Sequence, residues 1–320
     1  MSDVRRHSLE ITDAEAGMRL DAALARRFSE YSRSALKSWI DAGQVTLNAR
    51  SCRPRDPVRA GDEIVIMTVL EASADLAPEP VTFGVAHADA DCIVVDKPAG
   101  CVVHPGAGNP RGTLANGLLH RYPELVALPR AGLIHRLDKD TSGLLIVART
   151  PAAYQTLTRA MAAREVRRIY DAVANGHFIS GGSVDAPIGR DPANRTRMAV
   201  RGNGRDALTH YRIEARYRAH TRLEVQLETG RTHQIRVHLA HIGHPLLGDH
   251  RYGGRPRLPE NPSGDLGERV RAFNRPALHA RRLEFAQPET GTPIELESSW
   301  PDDFVSLVAA LENDSSGREK

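Results

Sequence analysis

An acidic, proline-containing stretch divides the 320-residue chain into two parts of different character. Residues 71–96 contain six carboxylates and no Lys or Arg, and Pro78 and Pro80 lie near the start of this stretch. Charged segments of this composition repel themselves and stay extended instead of joining a packed core. We therefore predict a linker over residues 71–80, with a small domain before it and a larger domain after it.

The segment before the linker has the pattern of a small α+β module. Leu20, Leu24 and Phe28 recur every four residues, which places them on one face of a helix. A second apolar stripe follows Ser32, which lies where a helix N-cap is expected. Two strand-like runs come next, so helices and strands alternate within about 50 residues, as in a single compact domain.

The same segment is basic, although the whole chain is nearly balanced, with 43 Lys and Arg against 40 Asp and Glu. Residues 19–59 contain nine basic and four acidic side chains. A local excess of positive charge attracts the phosphates of RNA. On charge alone, a solvated helix face is an alternative interpretation.

This module resembles an S4 RNA-binding domain. The R-L-D-x-x-L start, the Y-S-R-S-x-x-K-x-W-I helix and the G-x-V-x-L-N turn carry the similarity. We place the domain at residues 18–70, after a flexible N-terminus over residues 1–17. Arg33 and Lys37, on the second helix, are its candidate RNA contacts.

After the linker, strand-like runs outnumber helix-like ones. Residues 92–95 and 144–148 are short apolar runs, and the Thr-Pro pair at residues 150–151 is typical of a helix start. This pattern predicts an α+β domain over residues 81–312, built on a largely antiparallel mixed sheet with flanking helices and loops. Residues 313–320 are predicted to form a disordered tail.

Composition excludes several classes of protein. No run approaches the roughly 20 apolar residues that a membrane-spanning helix needs, and the first residues lack the apolar core of a signal peptide. The three cysteines are not clustered, so we expect neither a disulfide framework nor a thiolate zinc site. We expect a cytoplasmic protein.

The densest polar cluster, H-R-L-D-K-D-T-S-G, covers residues 135–143 and directly precedes an apolar strand. Hydroxyl, Asp and Gly residues in series form turns, and Asp138 lies here between Arg136 and Lys139. A carboxylate between cations stays ionised, and an ionised carboxylate suits attack on an electrophilic carbon such as a ribose C1′. Taken alone, such a turn is as readily explained as a purely structural element.

A second polar cluster, L-E-T-G-R-T-H-Q-I-R-V-H, covers residues 227–238. The residues after its glycine are predicted to form a helix, on which one stripe directs Arg236 into a site while Arg231 and Gln234 face phosphate on another. An amphipathic surface helix is the alternative. The surrounding residues 190–236 contain eleven Arg against five acids, which makes this stretch a candidate for further phosphate contacts.

Together these motifs resemble the RluA family of ribosomal RNA pseudouridine synthases, and most closely its RluD type. H-R-L-D-K-D-T-S-G-L-L is similar to the catalytic motif of the family, R-x-Y at residues 168–170 to its second motif, and G-R-T-H-Q-I-R-V-H to its third. D-K-P-A-G, V-H-P-G-A-G-N-P-x-G-T and H-P-L-L-G-D-x-x-Y-G-G are further matches. With the S4-like module, the resemblance covers nearly the whole chain in the same order.

The resemblance implies an enzyme that isomerises uridine to pseudouridine in RNA and needs no cofactor or metal. The N1–C1′ bond breaks, the uracil turns within the site, and C5 bonds to C1′. Asp138 corresponds to the essential aspartate, which either attacks C1′ or takes up a proton. Tyr170 corresponds to the tyrosine that stacks on the base, and Arg236 to the basic partner of the aspartate.

The same resemblance suggests how the RNA is held. The target uridine must leave its stack, and Arg136 corresponds to a residue that fills the vacated space. His135 is a further candidate contact. The RluD type implies a stem-loop of large-subunit (23S) ribosomal RNA that bridges to the small subunit, either as free RNA or in a pre-ribosomal particle. Another ribosomal or transfer RNA site is an alternative. We expect a monomer with no membrane partner.

Three other functions are alternatives. A magnesium-dependent phosphatase is suggested by D-K-D-T-S, but that motif should directly follow a continuous apolar strand. A metal hydrolase is suggested by His238, His241 and His244. Residues spaced three apart do not stay on one face of a helix, however, and no H-E-x-x-H motif is present. A non-catalytic S4 RNA-binding protein would leave Asp138 and Tyr170 without a purpose.

Overall fold

The computed structural model describes residues 4–28, 33–69, 76–106, 108–194, 196–254 and 256–316. The chain divides into two compact units, Met1–Leu76 and Ala77–Lys320. The division falls inside the segment predicted as a linker, of which residues 71–75 lie outside the described residues. Within the described ranges, no helix has both the length and the apolar character needed to cross a bilayer.

The N-terminal unit is a four-stranded antiparallel sheet packed against two helices. Its elements are β1 (Val4–Glu10), α1 (Leu20–Arg27), α2 (Arg33–Asp41), β2 (Val45–Leu47), β3 (Arg50–Ser51) and β4 (Glu63–Val69). The strands pair in the order β1-β4-β2-β3. Leu20 and Leu24 of α1 pack with Leu36 and Ile40 of α2 in its buried core, which confirms both predicted helices. The predicted N-cap, Ser32, lies outside the described residues.

The prediction of a flexible N-terminus over residues 1–17 is wrong from residue 4 onward. β1 pairs with β4 along its full length. Ile11 is buried in the same core, and the Glu15 carboxylate accepts hydrogen bonds from the backbone N–H and the hydroxyl of Thr12, at 3.0 and 2.7 Å. The sequence of β1 is mostly polar, so its pairing through main-chain hydrogen bonds leaves no apolar pattern to recognise.

The C-terminal unit is built on one nine-stranded mixed sheet. The strands of this unit are β5 (Gly84–Ala88), β6 (Cys92–Lys97), β7 (Ser142–Ala148), β8 (Arg167–Asn175), β9 (Gly182–Asp185), β10 (Ile188–Arg190), β11 (Met198–Val200), β12 (Leu208–Arg216), β13 (His220–Leu227), β14 (Leu278–Ala286) and β15 (Pro293–Glu297). The sheet order is β5-β6-β7-β14-β8-β13-β12-β9, with β15 beside β14, while β10 and β11 form a separate hairpin. Among the described strands, β7 and β14 are the one parallel pair. The predicted α+β class with a largely antiparallel sheet is therefore confirmed.

Five helices flank this sheet and its loops. They are α3 (Leu114–Arg121), α4 (Pro151–Ala162), α5 (Gln234–His241), α6 (Leu266–Ala272) and α7 (Asp302–Ser316). Two 3₁₀ turns, Pro123–Ala127 and Pro129–Gly132, lead towards the polar cluster at residues 135–143. The Thr150 hydroxyl accepts the backbone N–H of Ala153 at 3.1 Å, so the predicted start of α4 is confirmed.

The predicted disordered tail over residues 313–320 is wrong for residues 313–316, which belong to α7. Asp314 is buried and forms an ion pair with Arg218 at 3.0 Å, and its carboxylate also accepts the Ser263 N–H at 2.6 Å. These partners lie far away in sequence, so local composition alone suggests a tail. Residues 317–320 lie outside the described residues.

The polar turn (residues 135–143) runs directly into β7, which fixes its side chains at one end of a central strand. Gly143 has φ +108°, and a Cβ atom added there would lie 2.2 Å from the Ala280 carbonyl oxygen of β14. Only glycine allows β7 and β14 to approach this closely. The end of the polar turn therefore depends on a residue without a side chain.

We expect Gly143→Ala to lower the free energy of unfolding by about 2 kcal/mol or more, because the added methyl group collides with backbone that cannot move independently. Thermal unfolding followed by circular dichroism measures the effect. Gly202→Ala is the control, since a Cβ atom there meets nothing within 4 Å. Equal melting temperatures for the two variants would contradict the close approach of β7 and β14.

Candidate active site

Asp138 and Arg236, 98 residues apart in sequence, meet in the C-terminal unit. Asp138 lies in the polar turn, where its carbonyl oxygen accepts the Thr141 N–H at 3.1 Å. Nη1 of Arg236 donates to Oδ2 of Asp138 at 3.2 Å. The other carboxylate oxygen, Oδ1, makes no hydrogen bond within the described part of the chain. Arg236 thus orients the carboxylate and leaves one of its oxygens available.

Arg236 is itself held by a second carboxylate, that of Asp249. Nε and Nη2 of Arg236 donate to Oδ2 and Oδ1 of Asp249 at 2.7 and 2.9 Å, a bidentate pair. Asp249 is only 2% exposed and also accepts the backbone N–H groups of Arg251 and Tyr252. Burial opposes the charge of Arg236, but Asp249 and then Asp138 outweigh it and raise the pKa of the guanidinium. Arg236 therefore remains a cation in a fixed position.

His233 approaches Asp138 from a strained backbone position. It precedes α5 with φ +58°, a left-handed conformation that costs energy for a residue with a side chain. The Tyr252 hydroxyl accepts the Met198 N–H at 3.0 Å and lies within hydrogen-bond distance of Nδ1 of His233, at 2.8 Å. Nε2 of the same ring lies 3.9 Å from Oδ1 of Asp138. Burial lowers the pKa of His233 and favours the neutral form of the ring.

Tyr170 lies on β8, paired with Val225 of β13, and is 5% exposed. Its ring lines the same cavity as Asp138 and Arg236. Burial raises the pKa of the phenol, partly opposed by the charge of Arg168. Tyr170 thus keeps its hydroxyl proton and contributes an aromatic side chain to the cavity that Asp138 also lines.

Two connected cavities surround these groups. The inner cavity, about 50 Å³, is lined by Asp138, Arg168, Tyr170 and Arg236 among others. The outer cleft, about 1070 Å³, shares Asp138 and Arg168 with it, and both cavities are open to solvent. Seven arginines line the outer cleft: Arg130, Arg136, Arg164, Arg168, Arg190, Arg231 and Arg251. The arrangement suits a polyanion outside and one small planar group inside.

Two of the predicted substrate contacts lie at these cavities. Arg136 is exposed, lines both cavities, and makes no hydrogen bond or ion pair within the described ranges. Arg231 also lines both, and its Nε donates to the Asp206 carbonyl oxygen at 2.9 Å. The structure therefore brings Arg136 and Arg231 close to Asp138.

His135 lines the outer cleft but is engaged by the protein. Its Nε2 accepts the backbone N–H of Ile146 in β7 at 3.0 Å. Burial, assisted by the nearby charge of Arg168, lowers the pKa of His135 to about 3, so the ring is neutral. Its role as an RNA contact stays a prediction, whereas its bond to β7 fixes the start of the polar turn.

The prediction that Gln234 faces phosphate is wrong. Gln234 is 2% exposed, and both amide hydrogens and both acceptor positions are used inside the protein. Its partners are the Thr229 hydroxyl, the Arg231 N–H, the Leu208 carbonyl oxygen and the Thr209 hydroxyl. Gln234 joins α5 to β12 and to the loop after β13, and has no group left for a ligand.

The remaining two predicted contacts belong to the N-terminal unit. Lys37 is exposed on α2. Arg33 begins α2, and its side chain lies outside the described part of the chain. Their role in binding RNA stays a prediction.

The Arg-rich stretch over residues 190–236 does not form one surface. Five of its arginines line neither cavity and instead bind carboxylates or carbonyl oxygens: Arg201, Arg212, Arg216, Arg218 and Arg222. The role of this stretch in phosphate contacts stays a prediction, although acids from distant segments, such as Asp314 beside Arg218, already pair with some of these arginines. Arg195 lies outside the described residues.

Sequence patterns did not assign roles to Lys97, Asp249 or Tyr252, although each lies within one of the motifs that carry the family resemblance. Lys97 is 1% exposed, and its Nζ donates to the carbonyl oxygens of Pro98, Cys101 and Lys139, each at 2.9 Å. Burial lowers the pKa of Lys97 to about 8. Because Lys139 belongs to the polar turn, Lys97 ties that turn to the end of β6. Their position in segments where several motif residues cluster was the one sequence signal for these residues.

The geometry does not favour the two metal-dependent alternatives. His238 bonds the Thr209 hydroxyl and the Ala186 carbonyl oxygen, and His244 bonds the Asn175 carbonyl oxygen, so these histidines do not converge on one point. The D-K-D-T-S segment precedes β7 instead of following an apolar strand, as a phosphatase motif would require.

Comparisons with known proteins agree with this geometry. The sequence profile described as RNA pseudouridylate synthase matches residues 91–241, and that of the S4 domain matches residues 18–64. The chain is 51% identical to ribosomal large subunit pseudouridine synthase D of Xanthomonas campestris pv. campestris, over 95% of this chain and 92% of that protein. It is also 51% identical to the protein of that name from Haemophilus influenzae, over 96% and 95% of the two chains.

Solved structures give the same result for the C-terminal unit. Human RNA pseudouridylate synthase domain containing 4 aligns with a TM-score of 0.57 and 26% identity, over 72% of this chain and 93% of that chain. Human RNA pseudouridylate synthase domain containing 1 aligns with a TM-score of 0.53 and 28% identity, over 72% and 90%. With its S4 domain and its catalytic domain both matched, the chain belongs to the RNA pseudouridylate synthase family.

Proposed function

We propose that this pseudouridine synthase modifies uridine in the RNA of the large ribosomal subunit. Relatives that are named ribosomal large subunit pseudouridine synthase D and are 47–51% identical over at least 95% of this chain support this substrate. The observation that carries the chemistry is the Asp138–Arg236 pair at the end of a basic cleft. We take the stem-loop that bridges to the small subunit as the target, and another ribosomal or transfer RNA site as the alternative.

Asp138 acts on the ribose of the target nucleotide through Oδ1. Arg236 occupies Oδ2, so Oδ1 is the oxygen that either attacks C1′ or takes up a proton while the N1–C1′ bond breaks. The uracil then turns and C5 bonds to C1′, so that no atom is gained or lost. The flat ring of Tyr170 supports the base while it turns, because stacking holds a base without fixing its rotation.

The uridine reaches Asp138 only after it has left its stack, at a cost of roughly a few kcal/mol. Arg136 is exposed at the junction of the two cavities and occupies the space that the base vacates. The arginines of the outer cleft hold the flanking phosphates, and His135 keeps the polar turn on β7. Arg33 and Lys37 of the S4 domain add phosphate contacts.

The enzyme acts as a monomer in the cytoplasm, on free RNA or a pre-ribosomal particle.

Asp138→Asn is expected to abolish pseudouridine formation, because the amide is neither a nucleophile nor a base, while RNA affinity stays within about tenfold of wild type. Pseudouridine mapping of ribosomal RNA from a strain that carries only this variant measures the effect. Asp140→Asn, in the same turn, is the matched control, since its carboxylate makes no hydrogen bond within the described residues. Unchanged modification by Asp138→Asn would remove this residue from the mechanism.

Asp249→Asn is expected to slow the single-turnover rate by about 10- to 100-fold with little change in RNA affinity, because Arg236 loses the carboxylate that orients it. Rates at saturating enzyme and a filter-binding Kd separate the two effects. Asp265→Asn removes a carboxylate from an exposed i,i+4 pair with Arg269 and serves as the control. A rate equal to that of the control would show that Arg236 does not need Asp249.

Deletion of residues 1–75 is expected to weaken binding to long ribosomal RNA more than it slows conversion of a short stem-loop, because the S4 domain supplies phosphate contacts and not the reacting groups. Binding and single-turnover rates on the two RNAs test this expectation. Equal losses on both RNAs would argue against it. Loss of specific pseudouridines after gene deletion, mapped over all ribosomal RNA, identifies the target itself.

A further inference from the structure

Arg168 is a buried cation that lacks a counter-ion. It lies on β8, is 5% exposed, and lines both the inner cavity and the outer cleft. Its Nη2 makes two long contacts, 3.4 and 3.5 Å, to the carbonyl oxygens of Leu227 and Glu228. Its Nε is buried without a hydrogen-bond partner. No carboxylate lies within ion-pair distance of it in the described ranges.

The other buried arginines are paired with carboxylates. Arg236 and Arg275, each 8% exposed, both have bidentate carboxylate partners, Asp249 and Asp303. Burial of a charge is unfavourable unless an opposite charge or several hydrogen bonds compensate for it. Among the arginines described as buried, Arg168 is the one whose charge the protein leaves uncompensated.

The immediate surroundings of Arg168 keep its guanidinium in place without neutralising it. Nη1 lies 2.9 Å from the point where a side chain on Gly230 would begin, so the glycine makes room for it. The charge of Arg168 acts on two neighbouring rings: it adds to the burial that lowers the pKa of His135, and it lowers that of Tyr170 against the effect of burial. Both rings are uncharged. The missing negative charge must therefore come from whatever enters the cavity.

Two negative groups of the substrate are candidates, a phosphate and the uracil itself. The inner cavity, which holds Asp138 and Tyr170, receives the base and not the backbone under the proposed function. When the N1–C1′ bond breaks, its electron pair stays on the uracil, and the charge spreads over N1, O2 and O4. When C5 bonds to C1′, that electron pair forms the new bond. The proton lost from C5 equals the proton taken up by N1, so the step balances.

We propose that Arg168 is a catalytic residue that stabilises the negative charge on the uracil between cleavage of the N1–C1′ bond and formation of the C5–C1′ bond. This inference rests on the proposed function. A fixed, buried cation stabilises such a charge more than water does, because it need not reorganise as the charge develops, and it interacts weakly with the neutral uridine. Arg168 therefore contributes to the rate and not to the affinity.

Single-turnover kinetics on a short RNA stem-loop test this role. Arg168→Met is expected to lower the rate at saturating enzyme by about 100-fold or more, with an RNA Kd within about threefold of wild type. Arg168→Lys keeps the charge without the planar fork and is expected to be about tenfold slower than wild type. Arg167→Met is the control, because Arg167 is the adjacent residue on β8, is exposed, and pairs with Glu284.

A second RNA, with 5-fluorouridine at the target, separates catalysis from a merely structural role. Fluorine withdraws electron density from the ring and so stabilises the uracil anion. Formation of the anion therefore depends less on Arg168. The rate is measured as loss of 5-fluorouridine from digested RNA. The fold-decrease in rate that Arg168→Met causes is expected to be smaller on this RNA than on the uridine RNA, by about fivefold or more. An equal defect on both RNAs, with a lowered melting temperature, would mean that Arg168 only supports the fold.

Two further outcomes would overturn the proposal. If Arg168→Met weakens RNA binding, lowers the salt dependence of affinity by about one phosphate contact and leaves the saturated rate unchanged, Arg168 binds a phosphate. If wild type converts the RNA and Arg168→Met converts it equally fast, this inference fails while the proposed function stands. Failure of wild type to convert any uridine would remove both.

Discussion

The pairing of Arg236 with two carboxylates is the interaction on which the site depends. Asp249 takes two of its nitrogen atoms and Asp138 takes the third, so one guanidinium joins the polar turn, α5 and the loop after it. A buried charge with good bidentate geometry is costly to displace, because a shift of either partner leaves an unpaired ion in a dry environment. The carboxylate of Asp138 therefore has a fixed orientation before any RNA arrives.

The same principle explains how the rest of the site is held. Lys97 uses its three ammonium hydrogens on carbonyl oxygens and thereby ties the polar turn to β6. Gly143 lets β7 lie against β14 at a distance that a side chain would prevent. His135 bonds the backbone of β7 from the start of the turn. Each contact removes a degree of freedom from the turn, which is how an enzyme avoids reorganisation during the reaction.

Much of this fold and site was predictable from sequence, because the relevant signals are local. The apolar spacing of α1, the Thr-Pro start of α4 and the motif residues Asp138, Tyr170 and Arg236 all appear within short windows. The errors share one cause, which is contact with distant segments. β1 is mostly polar and is defined by its pairing with β4, and the end of α7 is buried against Arg218, 96 residues earlier. No local pattern contains that information.

The pattern of hydrogen bonds distinguishes side chains that hold the site in place from those that are free to act on a substrate. Gln234 and Asp249 lie within the motifs, as Asp138 and Arg236 do, yet their polar atoms form hydrogen bonds inside the protein. A side chain in that state cannot bind a ligand without breaking its own contacts. Oδ1 of Asp138 and Nε of Arg168 have no such partners in the described part of the chain. Because an unsatisfied buried group is unfavourable in the free enzyme, a ligand that offered an acceptor to Nε of Arg168 would remove that cost.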